Sequence, residues 1–305
     1  MYNSIAIIGP TATGKSQLAF RLAHEFDGEI ISADSRQIYR FMNIGTAKPS
    51  EQELSLIPHH LINIIKPDET FSLAQYQQLA SQAIDTILIR QRLPLLVGGS
   101  GQYLWSIIED WGIPKVPPNP ELRHNLENKA VSGSSDELYR ELLACNPLAA
   151  KKTDRYNVRR VIRALEISKA GYDIPQRKLK KSASHNFLII GLTMNRSELY
   201  RRIDSRIDNM VERGFVEEVK GLLNKGYSLN LPSMSSIGYR QIGDFLKGRT
   251  TLESAIQKIK FESHRLVRQQ YNWFRLKDDR INWYDMQKRV EPEIMELVGS
   301  YVRKV

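Results

Sequence analysis

The stretch from Ile5 to Ser16, IAIIGPTATGKS, constrains this chain more than any other. Ile5-Ala6-Ile7-Ile8 reads as a buried strand, and the pattern that opens at Lys15 reads as a helix with Leu18, Leu22 and Phe26 on one face. Between them lies G-x-x-x-x-G-K-S. Glycines let such a turn point its N–H groups inward at an anion, and the following helix adds its N-terminal partial positive charge. Lys15 is placed to reach terminal phosphates, and the Ser16 hydroxyl to hold Mg²⁺. Gly9, Thr11, Ala12, Thr13, Gly14, Lys15 and Ser16 form the candidate phosphate cradle.

The segments that follow keep an alternating rhythm. Ile30-Ile31-Ser32-Ala33 reads as a second strand ending at Asp34, residues 61–65 as a third, and Leu93 to Val97 as another, closed by Gly98-Gly99. Ser72 with Gln75 forms a capping box that starts a long helix. This pattern predicts an α/β fold, a P-loop NTPase-like parallel sheet flanked by helices. Four prolines in "GIPKVPPNP", residues 112–120, mark an exit from it. Residues 113–180 are expected to form a mostly helical insertion domain with a basic helix, leaving 1–112 and 181–305 as the core. After a strand at 187–194, helices are expected over 196–226, 236–248 and 251–277, then a strand at 281–284 and a last helix.

Charge is unevenly spread. The 305 residues carry a formal net charge of +10, and residues 151–185 hold eleven Lys/Arg against three Asp/Glu. There Arg159 and Arg163 share a helix face with Arg160 alongside, while Val161, Ile162, Leu165 and Ile167 supply apolar residues for burial. An arginine face suits phosphate tracking along nucleic acid, and a solvated basic surface explains it equally well. Arg202 and Arg206, spaced i, i+4, aim two guanidinium groups the same way, which suits a diphosphate unless Glu198, Asp204 or Asp208 captures them. In "HRLVRQQYNWFR", residues 264–275, basic and aromatic residues interleave; base stacking is one reading, and core packing is the stronger one for Trp273 and Phe274. The lone Cys145 allows no intrachain disulfide and suits a reducing compartment. No apolar run reaches membrane-spanning length, and the chain enters a strand almost at once. A cytoplasmic protein without a membrane partner is expected.

The fate of the bound phosphate is the open question. A P-loop hydrolase needs a carboxylate at the end of a buried strand to hold its metal. Here the best such strand, in "LPLLVGGSGQY", ends in Gly-Gly-Ser, and the nearest carboxylate is Asp34. That points to a phosphate held without being passed on. A nucleoside kinase and an RNA-binding protein with an inert loop stay open at this level.

"GPTATGKS", "DSRQIY" (34–39), "IGTAKP" (44–49), "PHHLIN" (58–63), "LLVGGSGQY" (95–103), "RRVIRALE" (159–166) and "IGYRQ" (237–241) together resemble, in order and over nearly the whole length, the motif series of the tRNA dimethylallyltransferases, also called tRNA isopentenyltransferases. The resemblance implies transfer of the dimethylallyl group of dimethylallyl diphosphate to N6 of adenosine 37 in the tRNA anticodon loop, with diphosphate as leaving group and Mg²⁺ as cofactor. It implies Asp34 as base, Ser100 in the place of a family threonine near the attacking amine, and Arg206 against the diphosphate. It also implies tRNA contacts through Asp34, Ser35, Arg36, Gln37, Ser100, Arg159, Arg160, Val161, Ile162 and Arg163, with the insertion as a clamp on the anticodon stem. No Cys/His set matches the zinc finger of eukaryotic members, so the chain is similar to the bacterial form, expected to act as a monomer.

Overall fold

Parallel strands buried on both faces have to be apolar almost throughout, which is why the strands here read as runs and not as alternations. The computed structural model describes residues 3–114, 116–117, 119–132, 135–172 and 185–303. The chain divides into two compact units, Met1–Glu109 with Ala183–Val305, and Asp110–Ser182; the expected insertion, 113–180, falls within the second.

The first unit opens with β1 (Asn3–Ile8), α1 (Lys15–Glu25), β2 (Gly28–Ala33), α2 (Glu51–Leu56), β3 (His59–His60), α3 (Leu73–Ile89), β4 (Leu93–Gly98) and α4 (Gly101–Ile108). The second contains α5 (Pro120–Ser132), α6 (Ser135–Cys145), α7 (Pro147–Lys152) and α8 (Val158–Lys169). The chain then adds β5 (Asn186–Thr193), α9 (Arg196–Glu212), α10 (Phe215–Asn224), α11 (Tyr239–Leu246), α12 (Leu252–Trp273), β6 (Ile281–Asp285) and α13 (Glu291–Val302) to the first unit. Six strands pair in the order β3-β2-β4-β1-β5-β6, every pair parallel. Ile5 pairs with Leu95 on one side and Leu188 on the other.

One core layer joins Ile5, Ile7, Leu95 and Val97 of the sheet to Leu18 and Leu22 of α1 and Ile294 and Val298 of α13. A second gathers Ile203 and Ile207 of α9, Phe215 and Val219 of α10, Tyr239 and Ile242 of α11 and Ile259 and Val267 of α12 around Ile38 and Met42. The capping box at α3 is formed on both sides: Ser72 Oγ accepts the Gln75 N–H at 3.2 Å and Gln75 Oε1 accepts the Ser72 N–H at 2.8 Å. In the second unit, Leu126, Leu138, Leu142, Val161 and Leu165 pack together. Among the described residues no helix is long and apolar enough to cross a membrane.

Two expected elements differ. Residues 61–65 are not a strand, because Leu61 (φ +62°) and Asn63 (φ +58°) leave the extended region. The sheet takes His59–His60 instead, against Ile30 and Ile31, while 63–65 bond to the 37–40 segment, as in Ile64 N–H to the Ile38 carbonyl at 2.8 Å. The helix expected over 196–226 breaks into α9 and α10 at Gly214, whose φ of +94° suits glycine.

Candidate active site

The strand order β2-β4-β1 sets three chain segments, distant in sequence, at adjacent carboxyl ends of the sheet, where ligands of such folds bind. β1 delivers the phosphate loop, β2 delivers Asp34, and β4 delivers Ser100 through Gly98-Gly99.

The loop is built as a nest. Gly9 sits at φ +137°, where an added Cβ would lie 2.3 Å from the Leu192 carbonyl oxygen, so no other residue fits. Ala12 (φ +66°) and Gly14 (φ +92°) complete the turn into α1. Thr13 Oγ1 donates to the Pro10 carbonyl at 2.9 Å, and Lys15 Nζ folds back on the same oxygen at 2.6 Å. Among the described residues the N–H groups of Ala12, Thr13 and Gly14 meet no protein acceptor. Burial and the neighbouring Arg206 guanidinium push the Lys15 ammonium down to about 7, against a smaller opposing pull from Asp34. Ser16 is exposed at the start of α1.

Arg206, from α9, donates through Nη1 to Thr11 Oγ1 at 3.2 Å, and burial lowers its pKa. Arg202 does not join it: Glu198 holds Arg202 at 2.9 Å and Arg201 at 2.7 Å, so only one of the two arginines faces the cradle.

Asp34 is half-buried and uses Oδ1 to accept the Arg36 N–H at 2.8 Å, leaving its second oxygen without a protein donor among the described residues. Ser100 Oγ accepts the Ser35 N–H at 3.1 Å and lies 3.4 Å from Ser35 Oγ. Arg36 donates to the Pro232 carbonyl at 3.1 Å. Gln37 accepts from Ser32 Oγ at 3.0 Å and donates to the Thr46 and Ala47 carbonyls at 3.2 Å each, so this side chain supports the 44–49 turn. Glu218 fixes the same turn, accepting the N–H groups of Asn43, Ile44 and Gly45 at 2.8, 2.7 and 3.2 Å and the Tyr239 hydroxyl at 2.6 Å. Lys48, in that turn, is brought down to about 8 by burial, with Glu218 and Asp34 pulling the other way.

In the helical unit the expected tRNA contacts separate. Val161 and Ile162 are only 1% and 4% exposed and belong to the core, so their side chains offer nothing to a partner. Arg163 turns inward as well, to Glu166 at 3.1 Å and the Val116 carbonyl at 2.9 Å. Arg159 and Arg160 are exposed and make no ion pair among the described residues. Residues 173–184 of the basic stretch lie outside the described residues.

Residues 264–275 supply packing and one site residue that sequence reasoning missed. Phe274 is buried, Tyr271 shares a 2.8 Å hydrogen bond with Thr193 Oγ1, and Arg268 donates to the Tyr200 hydroxyl at 2.9 Å. Gln270, 7% exposed, accepts the Thr11 N–H at 2.9 Å and donates to the Gly99 carbonyl at 3.1 Å. The interleaved pattern drew attention to its neighbours, and nothing local distinguishes this glutamine.

A glycine-rich loop flanked by a carboxylate, a hydroxyl and an arginine on a parallel sheet defines a P-loop-like α/β architecture with a candidate anion site beside a candidate base. The IPP transferase family model matches residues 37–277. The tRNA dimethylallyltransferases of Dehalococcoides mccartyi and Roseiflexus castenholzii are 45% and 47% identical, covering 98% and 89% of this chain and 92% and 89% of their own. A crystal structure of the tRNA isopentenylpyrophosphate transferase from Bacillus halodurans is 39% identical with a TM-score of 0.73, covering 100% of this chain and 98% of its own. A eukaryotic dimethylallyltransferase acting on tRNA is 25% identical with a TM-score of 0.83, over 100% of this chain and 80% of its own. This chain therefore belongs to the IPP transferase family.

Proposed function

We propose that this chain transfers the dimethylallyl group of dimethylallyl diphosphate to N6 of adenosine 37 of tRNA, releasing diphosphate. One observation carries the reading: β2 ends at Asp34 and the neighbouring β4 ends at Gly99-Ser100, beside the strand that leads into the glycine-rich loop, so a hydroxyl stands where a hydrolase places its metal-holding carboxylate. The relatives' shared name and activity support the choice of a carbon transfer over a phosphoryl transfer.

The adenine amino group is a weak nucleophile because its lone pair is delocalised into the ring. Asp34 takes one of its protons as the new N–C bond forms, Ser100 orients the amine, and the allylic C–O bond breaks with both electrons going to the diphosphate. Lys15, Arg206 and the inward N–H groups meet the charge that develops on that leaving group. The target base has to leave its stack to reach the site. Ser16 would be the protein ligand for Mg²⁺, and its exposed hydroxyl at the start of α1 fits that role. Bound there, the ion would add positive charge against the leaving group. A monomer working in the cytoplasm completes the reading.

Unmodified tRNA incubated with labelled dimethylallyl diphosphate should yield labelled N6-dimethylallyladenosine at position 37. Labelled phosphate moved from ATP to a nucleoside, with no labelled tRNA, would replace this reading with a kinase. Affinity for tRNA should fall steeply with salt, because bound phosphates release counterions. Replacing both Arg159 and Arg160 by alanine should flatten the plot of log affinity against log salt by about one to two units. An unchanged slope would remove that face from the tRNA contact.

A further inference from the structure

Gln270 stands on α12, yet its carboxamide joins two loops of the site. Its oxygen accepts the N–H of Thr11 in the phosphate loop at 2.9 Å, and its nitrogen donates to the carbonyl of Gly99 at 3.1 Å, one residue before Ser100. The amide sits directly against the Gly99 backbone: an added Cβ there would lie 2.3 Å from the Gln270 nitrogen and displace it. The opposite side of Thr11 is also held, since Arg206 donates to its hydroxyl at 3.2 Å. Thr11 is thus held from outside the loop through both its N–H and its hydroxyl, while among the described residues the N–H groups of Ala12, Thr13 and Gly14 meet no protein acceptor.

We propose that Gln270 is a positioning residue for the transfer reaction, setting the distance between the leaving-group cradle and the Ser100 side of the acceptor site. Reaction between two bound groups depends on their separation, so a clasp between the loops that hold them acts on turnover. Glutamine suits the task because one planar amide supplies an acceptor and a donor at once. The inference rests on the transfer activity proposed above.

Gln270→Leu and Gln270→Glu test it in the full-length protein. The readouts are kcat, KM for each substrate, Tm, and the Kd of inorganic pyrophosphate for the free enzyme. Leucine removes both bonds and should raise that Kd and lower kcat by about tenfold each, with KM for tRNA within about twofold of wild type. Glutamate keeps an acceptor for Thr11 but sets a carboxylate oxygen against the Gly99 carbonyl and buries an unpaired charge. It should lower Tm at least as much as leucine, and its charge weakens pyrophosphate binding whatever the role of the glutamine, so the decisive readout is kcat at saturating substrates, which should fall in both variants. A glutamine with only a structural role leaves kcat of the folded enzyme near wild type in both. Wild-type kcat at saturating substrates in both variants, or losses that follow Tm alone, overturn the proposal. If leucine prevents folding, Gln270→Met, which keeps the length of the side chain and lacks the amide, decides by the same kcat. A wild-type protein that transfers nothing to tRNA instead removes the activity on which the inference rests.

Discussion

Asp34→Ala is expected to lower turnover by about 10²–10⁴-fold, the range for losing a positioned general base. The affinity for tRNA should change far less. Asp34→Asn is the sharper form of the experiment. Asp34 accepts the Arg36 N–H at 2.8 Å, and asparagine can keep that turn while being unable to take a proton. If the aspartate serves mainly as a turn residue, asparagine preserves turnover and alanine does not. If it serves as base, both lose turnover alike. Single-turnover rates with saturating dimethylallyl diphosphate separate the two, and wild-type rates in Asp34→Asn would remove the residue from the base role.

Lys15→Ala should weaken binding of dimethylallyl diphosphate by about ten- to a hundredfold, the loss of a charge-assisted contact. The free protein adds a pH signature. Burial and Arg206 hold the Lys15 ammonium down at about 7, so above that pH it is largely neutral without ligand. A bound anion favours the charged form and raises the pKa again. Binding at about pH 8 should therefore take up close to one proton per site, and binding at about pH 6, where Lys15 is already charged, far less. Calorimetry in two buffers of different ionisation enthalpy reads this directly. Lys15→Ala should abolish the uptake. Equal uptake in the variant would assign the proton to another group.

Contiguous features were legible in the sequence, and features created by the sheet were not. Gly9 to Ser16 and the Ser72–Gln75 cap are local patterns whose physics lies within a few residues, and both take the expected form. Asp34 was legible as a strand-end carboxylate beside the loop. Residues 61–65 misled because apolar content does not report backbone angle, and Leu61 and Asn63 adopt positive φ. Arg202 and Arg206 share a spacing, but Glu198, one turn before Arg202, captures that side chain. In α8 the apolar pattern marked Val161 and Ile162 for burial, where they lie, while the resemblance implied tRNA contact for the whole run from Arg159 to Arg163; Glu166 draws Arg163 inward. Gln270 had no local signal, because its partners are 259 and 171 residues away and meet it only through the strand order.

That strand order also bears on when the protein first becomes competent during synthesis. β1 is among the earliest segments made, yet one of its neighbours is β5, and the loop that follows it is completed by Arg206 and Gln270 from the last third of the chain. Contacts so distant in sequence form late, after a large loss of chain entropy. A ribosome-tethered fragment ending before α12 would carry the whole glycine-rich motif and still lack Gln270, so the loop gains its last hydrogen bonds to the rest of the chain only after the final helices have left the exit tunnel.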